Sequence, residues 1–301
     1  MPASTLDTSS SPRCPICSQK MSAKLASWSY YCPHCDYWGS SLQPVTQLLG
    51  KDDFLSRREG QDNPIDFLDE LRTENFRACI QHISKLMPAG AKSLLEVGCG
   101  AGLFLAEAEA AGISSLGIEA YQAMAQRGLK QGRTIRIGFF PNCLDENERF
   151  GAIVFNDVFE HLPDAVGILN VCKRHLENGG LLVLNLPNSS GLFYRVASLL
   201  YRIGIHGPWD RLWQKMFFTP HLHYFSSQSL ELLCLGSDFE AATPTIGLKS
   251  VRIPGLWARI RANPKTTLLQ SMVTYVGAVI LTKVTSFFEP DCIMRIFRKP
   301  H

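Results

Sequence analysis

The sequence predicts an α/β fold in which a parallel, doubly wound sheet follows a small cysteine-rich module. Three observations lead to this prediction. From residue 93 onward, short apolar runs alternate with longer helical stretches, a glycine-rich turn follows the first of those runs, and two Cys-x-x-Cys pairs stand near the N-terminus. With 301 residues, of which 46% are hydrophobic and 19% are charged, the chain has enough apolar material for a large packed core.

The alternating pattern divides the chain into elements. Strands are predicted at residues 93–97, 116–118, 134–137, 150–155 and 181–186. Helices are predicted at 103–111, from 121 onward and at 163–175. Repetition of this kind gives a parallel sheet with helices on both faces. Around this domain (91–301), the sequence indicates a disordered tail (1–12), a cysteine module (13–45), a helical linker (46–90) and insertions near 192–220 and 252–284.

Charge is low overall but unevenly distributed. The net charge of +3 argues against a protein coated in basic residues for nucleic acid. Residues 192–301 hold 13 Lys and Arg against 6 Asp and Glu, so an anionic partner would meet the C-terminal third. No secretory signal is readable in the first dozen residues, and the uncharged run 266–282 is shorter than the ~20 residues of a spanning helix. We therefore expect a cytoplasmic protein in which residues 266–282 form a buried or interfacial helix.

The most specific motif is the glycine-rich turn G-C-G-A-G at residues 98–102, with Glu96 two residues before it. Glycines let the chain turn tightly and let a ligand approach the main chain and the following helix N-terminus. The spacing is G-x-G-x-G, which differs from the G-x-G-x-x-G of dinucleotide sites. Glu119 ends the second strand, 21 residues beyond Gly98, where a carboxylate can accept hydrogen bonds from both hydroxyls of a ribose.

These features resemble the class I S-adenosylmethionine-dependent methyltransferases over roughly residues 75–301. The resemblance implies a Rossmann-like, doubly wound sheet of seven strands whose last strand, at 291–300, is antiparallel. It also implies S-adenosyl-L-methionine as the cofactor. The residues that it places around this cofactor are Glu96, which orients the loop, Gly98, Gly100 and Gly102 beside the methionine portion, Glu119 at the ribose, and Asn156 and Asp157 where the reacting methyl group lies.

The segment N-D-V-F-E-H at residues 156–161 holds the first candidate catalytic residue, and a second histidine-rich segment follows at 221–223. An oxygen or carbon acceptor must lose a proton during methyl transfer. Histidine has an ordinary pKa near neutrality, so His161 and His223 are the candidate bases. The alternative for His161 is a structural role in which its side chain hydrogen-bonds the backbone.

A divalent cation is a further hypothesis for the same segment. Asp157, Glu160 and His161, together with one of His221 or His223, form a carboxylate and imidazole set that could bind such an ion. The set resembles that of small-RNA 3′-terminal 2′-O-methyltransferases and of some quinone O-methyltransferases. This chain has Asp157 where the RNA enzymes usually have Glu.

The cysteine module is predicted to be a zinc ribbon. Cys14, Cys17, Cys32 and Cys35 form two Cys-x-x-Cys pairs separated by 14 residues, a spacing typical of a tetrahedral Zn²⁺ site. Four thiolates would leave the zinc structural and closed to substrate. A redox role is the alternative, but neither pair opens a helix after a strand as a thioredoxin-like motif would.

Zinc modules accompany both ribosomal RNA guanine methyltransferases and several sugar methyltransferases, so the resemblance leaves the role of this module open. No basic stripe runs through it, with Arg13, Lys20 and Lys24 against Asp36, which weakens an RNA-binding role.

The two insertions combine aromatic and basic residues. Residues 192–220 would overhang the methyl donor as an acceptor lid, or else form a helical cap whose aromatic side chains pack on the sheet. The insertion at 252–284 places Trp257, Arg259, Arg261 and Lys265 before the apolar run. This arrangement would let the protein contact an anionic membrane surface and reach a lipid-linked acceptor.

Together these features predict an S-adenosylmethionine-dependent methyltransferase with a structural zinc ribbon. The expected acceptor is a small molecule, above all a sugar or glycan precursor. An RNA methyltransferase is the alternative enzyme, and a non-catalytic cofactor-binding or assembly protein is the alternative class. The intact glycine loop, Glu119 and the segment 156–161 speak against the non-catalytic alternative.

Overall fold

The computed structural model describes residues 12–43, 64–88, 90–91, 93–215, 217–249, 255–262 and 267–301. The predicted tail, apart from Pro12, and the first part of the predicted linker (46–63) lie outside these residues. So do residues 252–254 of the second insertion and Lys265.

The first three strands form the cysteine module. They are β1 (Ser22–Lys24), β2 (Ala26–Cys32) and β3 (Tyr37–Ser40), paired antiparallel in that order. Helix α1 (Pro64–Leu86) follows and replaces the shorter helical patches expected in the linker. Its buried residues Phe76, Ile80 and Ile83 pack on one face of the central sheet.

The central sheet contains β4 (Ser93–Val97), β5 (Ser114–Glu119), β6 (Ile135–Ile137), β7 (Phe150–Asn156), β8 (Leu176–Pro187), β10 (Glu240–Ala241), β11 (Ile246–Gly247) and β12 (Cys292–Arg298). The strand order is β10-β12-β8-β7-β4-β5-β6, and β11 also pairs with β12. Strands β4 to β8 are parallel, and β12 is antiparallel as the resemblance implied. The sheet has eight strands instead of seven because two short strands, β10 and β11, share one edge of β12.

The helices around this sheet are α2 (Leu103–Ala110), α3 (Gln122–Lys130), α4 (Ala165–His175), α5 (Leu192–Arg202), α6 (Gly207–Leu212), α7 (Ser227–Gly236), α8 (Leu256–Ala262) and α9 (Leu268–Thr285). Strands β4 and β7 and residues 181–186 of β8 are nearly continuous apolar runs, because both of their faces are covered. The chain winds from β4 toward β6 and then from β7 toward β8, which places the switch point between β4 and β7.

The cysteine module is joined to the main domain through a shared sheet. Strand β9 (His223–Phe225) pairs antiparallel with β3, with Trp38 opposite Tyr224, so the module's sheet has the order β1-β2-β3-β9. The module is therefore continuous with the main domain, although the sequence analysis treats the two as separate domains. Strand β3 of the module and strand β9 of the main domain make this connection, because a ribbon this small needs further apolar contacts to be stable.

The first insertion completes this cover. Tyr194, Trp209 and Trp213 are buried, and they pack with Trp38 of the module and Tyr224 of β9. These three rings are thus unavailable for stacking on an acceptor, as expected of a helical cap, and the lid interpretation of the insertion stays a prediction. The arginines of the same insertion are exposed.

Helix α9 covers most of the apolar run at 266–282 but is not a core helix. It is long and apolar enough to cross a membrane by length and composition, and only 7% of it is buried. The interpretation as a buried helix is wrong, and the interfacial interpretation remains.

Candidate active site

The glycine loop follows β4 at the carboxyl end of the parallel strands. Gly98, Gly100 and Gly102 have φ values of 71°, 56° and 78°, a left-handed conformation that side chains other than glycine rarely adopt. A Cβ atom added at Gly98 would lie 2.5 Å from Cγ2 of Val158. The loop is therefore packed against the segment that follows β7.

Glu119 ends β5 beside this loop. Its carboxylate accepts hydrogen bonds from the backbone amides of Gly100, at 2.8 Å, and Tyr121, at 2.7 Å. The carboxylate thus lies at the loop, as the fingerprint spacing predicts. Its role at a ribose stays a prediction.

Glu96 lies beneath the loop and is 3% exposed. One oxygen accepts a hydrogen bond from the Asn156 amide at 2.8 Å, and the Asn156 carbonyl accepts one from Asn185 at 3.3 Å. The second oxygen has no hydrogen-bond partner among the described residues. Burial raises the pKa of Glu96 to about 8, the Asn156 amide opposes this rise, and the nearby charge of Glu119 adds to it. A buried carboxyl with one oxygen unpartnered fits a cationic ligand.

The segment after β7 forms a 3₁₀ turn at Phe159–His161, which holds Glu160 and His161 side by side. Asp157 precedes this turn with a positive φ of 53°, and its side chain is exposed. The structure brings Glu160 and His161 together with His221, whereas neither Asp157 nor His223 belongs to this group. Of the residues in the predicted cation set, the cluster therefore keeps Glu160, His161 and His221.

The resulting cluster is compact and buried. Nε2 of His161 lies 4.0 Å from a Glu160 oxygen, and Nε2 of His221 lies 3.9 Å from the same oxygen. Glu160 is 1% exposed, and neither of its oxygens has a hydrogen-bond partner among the described residues. Burial, followed by the charge of Asp157, raises the pKa of Glu160 well above its ordinary value.

Both imidazoles of the cluster are oriented by neighbouring groups. Nδ1 of His161 lies 3.0 Å from the Pro220 carbonyl, so Nδ1 carries the proton and Nε2 carries a lone pair. Nε2 of His221 lies 3.0 Å from the Gln214 side-chain amide, which can donate to its lone pair. Burial lowers the pKa of His161. Burial also lowers the pKa of His221 to about 3, and the nearby charge of His161 adds to this lowering. Both rings are therefore neutral at pH 7. Nε2 of His161 offers its lone pair to a cation, whereas Nε2 of His221 would have to exchange the Gln214 amide for it.

His223 does not fit the predicted role of a base. It is buried in β9, its Nδ1 is hydrogen-bonded to the Tyr37 hydroxyl, and its Nε2 lies 2.8 Å from the Leu162 carbonyl. Burial lowers its pKa to about 4. Because both ring nitrogens are occupied, His223 joins the ribbon to the main domain and has no nitrogen left for a substrate proton.

The ribbon also fixes the position of His221. The Ser40 hydroxyl donates to the His221 carbonyl at 2.7 Å, and the Ser40 amide donates to the Leu222 carbonyl at 2.9 Å. The Leu222 amide donates to the Glu160 carbonyl at 2.8 Å. Ser40 and Gln214 are site residues that sequence reasoning missed, because their only signal is contact with His221 in the folded chain.

The four cysteines of the ribbon converge. The sulfur atoms of Cys14, Cys17, Cys32 and Cys35 all lie within 4.8 Å of one another, and those of Cys17 and Cys32 are 3.6 Å apart. Sulfur atoms bound to one tetrahedral zinc at ~2.3 Å would be about 3.8 Å apart, so the set fits Zn²⁺. His34 is exposed and lies outside the set. A structural zinc therefore stays a prediction that the geometry supports.

Comparison with known families decides the class of the main domain. A family model described as a methyltransferase domain matches residues 71–243, which is more than half of the chain. The chain belongs to this methyltransferase family. The predicted class I S-adenosylmethionine-dependent methyltransferase is thus confirmed at the level of family and fold.

Curated relatives of this methyltransferase are named ubiquinone biosynthesis O-methyltransferase. The protein from Xylella fastidiosa (strain 9a5c) is 30% identical over 137 residues, which cover 43% of this chain and 52% of the relative. The protein from Glaesserella parasuis serovar 5 is 26% identical over 147 residues, covering 45% of this chain and 60% of the relative. The chain spans about half the length of the curated relatives it matches.

Solved methyltransferase structures share the fold. Phosphoethanolamine N-methyltransferase 2 of Haemonchus contortus, in complex with S-adenosyl-L-methionine, has a TM-score of 0.52 at 15% identity and covers 85% of this chain and 61% of its own. A Haloferax volcanii methyltransferase in complex with the activator Trm112 has a TM-score of 0.52 at 14% identity, covering 83% and 96%. At these identities the likeness concerns the fold alone.

Glu96 gives this methyltransferase a testable pH dependence. S-adenosylmethionine carries a positive sulfonium, and we expect a donor held by the glycine loop to favour the ionised form of Glu96 beneath that loop. Without the donor, the pKa of Glu96 is about 8, so below that pH donor binding must release a proton from this carboxyl. The affinity for S-adenosylmethionine should therefore fall as the pH is lowered from 8 to 6. In wild type we expect calorimetry to show a loss of affinity of about tenfold over this range. In Glu96→Gln we expect weaker binding whose affinity hardly changes with pH.

Glu119→Ala is the matched control for that experiment. It leaves Glu96 in place, so it should weaken binding about tenfold, or ~1.4 kcal/mol. Affinity should still fall as the pH is lowered, with the fall displaced to lower pH because the charge of Glu119 no longer raises the pKa of Glu96. A wild-type affinity that does not change between pH 6 and 8 would contradict the role of Glu96.

Proposed function

We propose that the chain transfers the methyl group of S-adenosylmethionine to a hydroxyl oxygen of a small molecule, assisted by a divalent cation between Glu160, His161 and His221. The observation that carries this proposal is the buried Glu160 carboxyl, whose two oxygens lack hydrogen-bond partners among the described residues. A buried polar group left without a partner costs about 1–3 kcal/mol, and more when it is charged. A cation between this carboxylate and two neutral imidazoles would remove that cost.

The ligand set favours one class of ion. Two imidazole nitrogens and one carboxylate oxygen suit a first-row transition-metal ion such as Mn²⁺ or Zn²⁺ better than Ca²⁺. When bound, the ion would supply a positive charge that favours the ionised form of a nearby hydroxyl. His161 and His221 then serve as ligands, and the Pro220 carbonyl fixes the tautomer that His161 needs for this role.

The remaining task of the chain is positioning. Methyl transfer is an in-line displacement, so the acceptor oxygen and the methyl group must be held in contact and aligned. The glycine loop packs on Val158, two residues before Glu160. A donor held by that loop would therefore lie next to an acceptor held at the cluster.

The proposed acceptor has two adjacent hydroxyl groups, because neighbouring oxygens can approach one cation together. A sugar or glycan precursor, which the sequence analysis expects, has such a pair. A catechol has one as well, and the name of the curated relatives, ubiquinone biosynthesis O-methyltransferase, supports an aromatic ring hydroxyl. Both acceptors belong in the first screen.

The RNA alternative receives less support. Among the described residues of the ribbon, the Lys24 amine lies 3.8 Å from the centre of the Tyr31 ring and 5.3 Å from that of Trp38, so it is engaged within the ribbon. Trp38 itself is buried against the insertion. Lys24 and Trp38 are therefore less available for binding phosphates and stacking bases than a dedicated RNA-binding surface would require.

The test is methyl transfer from isotopically labelled S-adenosylmethionine to three acceptors: 3,4-dihydroxybenzoate, a nucleotide-linked hexose and a structured RNA. Each is assayed with Mn²⁺, with Zn²⁺ and after chelation. We expect label on a hydroxyl of one diol acceptor, dependent on the ion. Label on RNA, or transfer that survives exhaustive chelation unchanged, would contradict the proposal.

A further inference from the structure

Helix α9 lies outside residues 71–243, so the family match says nothing about it. A helix of a water-soluble domain turns its apolar stripe inward and its polar stripe outward. In α9 this polarity is reversed. Ser271 is fully buried, and Tyr275 faces Trp257 of α8 with ring centres 5.6 Å apart.

The opposite side of α9 is apolar and exposed. Leu269, Met272, Val273, Val276 and Ile280 recur at spacings of three and four, which places them on one face. Their exposed fractions are 72%, 50%, 65%, 52% and 55%, respectively. Contiguous exposed apolar faces of this kind mark contacts with another molecule or with a membrane.

A second apolar face adjoins the first. Val196 and Leu199 of α5, and Ile203 directly after it, are 45%, 61% and 67% exposed. Arg195 and Arg202 of the same helix are also exposed. Arg195 lines a surface groove together with Ser286, Phe287 and Phe288, which directly follow α9. The start of α5 and the segment after α9 therefore meet at one groove, and we call the two apolar faces on either side of it the α5/α9 face.

Charge favours a lipid surface as the occupant of this face. Exposed Arg195, Arg202, Arg261 and Lys283 accompany its apolar side chains, and they outnumber the exposed Glu289 that lines the groove with Arg195. Phe287, which is 86% exposed, extends the apolar part beyond the end of α9. Apolar side chains with a basic rim match the acyl boundary and the anionic headgroups of a bilayer, each basic residue adding to the attraction.

An interfacial orientation fits better than a spanning one. With 18 residues, α9 is about 27 Å long, slightly less than the ~30 Å of a bilayer core. Trp257 contacts Tyr275 in the middle of α9, so α8 lies alongside this helix and would have to enter the bilayer with it. Directly after α9 the chain returns to β12 in the central sheet.

We propose that the α5/α9 face docks onto an anionic membrane surface, with α9 lying parallel to the bilayer plane and its outer apolar residues among the headgroups and upper acyl chains. Docking of this kind is independent of the acceptor and of the cation at Glu160. It would also bring the domain within reach of acceptors carried in the membrane.

The test is co-sedimentation of the purified full chain with vesicles, at low and at high salt, without donor or acceptor. Vesicles of phosphatidylcholine with phosphatidylglycerol are compared with phosphatidylcholine alone. We expect binding to the anionic vesicles that weakens with salt. The double variant Val273→Asp/Ile280→Asp should bind at least about tenfold more weakly, because two negative charges replace apolar groups that docking would bury.

The control is Leu129→Asp, which changes an exposed leucine on α3, a helix packed beside β6 at the other edge of the sheet. It should bind vesicles like wild type. The milder Val273→Ser/Ile280→Ser variant and circular dichroism separate lost binding from lost folding. The proposal is overturned if wild type does not bind anionic vesicles or if the double variant binds equally well. It is also overturned if the variant only converts a dimer to a monomer, which would assign the face to a second copy.

Discussion

Replacing Glu160 with glutamine should lower kcat by about a hundredfold or more while leaving the affinity for S-adenosylmethionine within about twofold. The amide keeps the shape of the side chain but lacks the negative charge that a cation between His161 and His221 requires. The glycine loop and Glu96 are untouched by this change, so donor binding should persist. Steady-state kinetics and calorimetry measure the two effects separately.

Metal binding gives the same variant a readout besides activity. Mn²⁺ alone should raise the melting temperature of wild type, because an ion that binds the folded chain stabilises it by mass action. The Glu160→Gln variant should show no such rise. In chelator the two proteins should melt at similar temperatures, because the amide replaces a carboxyl whose raised pKa already favours its neutral form.

The control for this pair of measurements is Asp157→Asn, which removes a nearby charge outside the cluster and should retain the Mn²⁺ response. If Mn²⁺ stabilises wild type and Glu160→Gln to the same extent, the cluster is not the cation site.

Removing zinc from the ribbon should disable the active site even though the four cysteines do not belong to it. In Cys32→Ser we expect zinc to fall from about one ion per chain to near zero, and activity to fall by about a hundredfold or more. The physical reason is the pairing of β3 with β9 and the bond from the Ser40 hydroxyl to the His221 carbonyl. A ribbon that loses its metal cannot hold β3, and His221 then loses its support.

Hydrogen exchange separates this local effect from global unfolding. Amides of β9 should lose protection in zinc-free Cys32→Ser, while those of β4, β7 and β8 should stay protected. Cys143→Ser changes a cysteine outside the cluster and should keep zinc, protection and activity. Ser40→Ala leaves all cysteines intact and should lower kcat several-fold through His221 alone. Unchanged protection of β9 in the zinc-free protein would show that the ribbon does not support the site.

Local patterns were sufficient for the parallel sheet and the glycine loop. The five parallel strands were predicted within a few residues at most of their ends, because apolar runs buried on both faces are legible in the sequence. The exception is β8, which begins at Leu176, five residues before the predicted start. There the run Leu176–Gly180 contains Glu177, Asn178 and two glycines, which do not resemble a strand.

The candidate cation site was only half predictable. Glu160 and His161 are adjacent in sequence, so one turn brings them together. His221 and His223 have the same chemistry and are two residues apart, and only the pairing of β9 with β3 separates them. That pairing places His223 against the Tyr37 hydroxyl and leaves His221 facing Glu160.

The antiparallel last strand came from the family resemblance. By itself, the sequence determined the α/β class, the position of the glycine loop and the four cysteines that converge. Each of these depends on neighbours along the chain or on the regular spacing of residue types. Only the tertiary structure decided that the ribbon shares a sheet with the main domain, that the aromatic residues of the first insertion are core, and that α9 turns its apolar face outward. These features depend on contacts between residues far apart in sequence. An apolar side chain is buried against whichever part of the folded chain lies next to it, and the periodicity of one segment does not show which part that is.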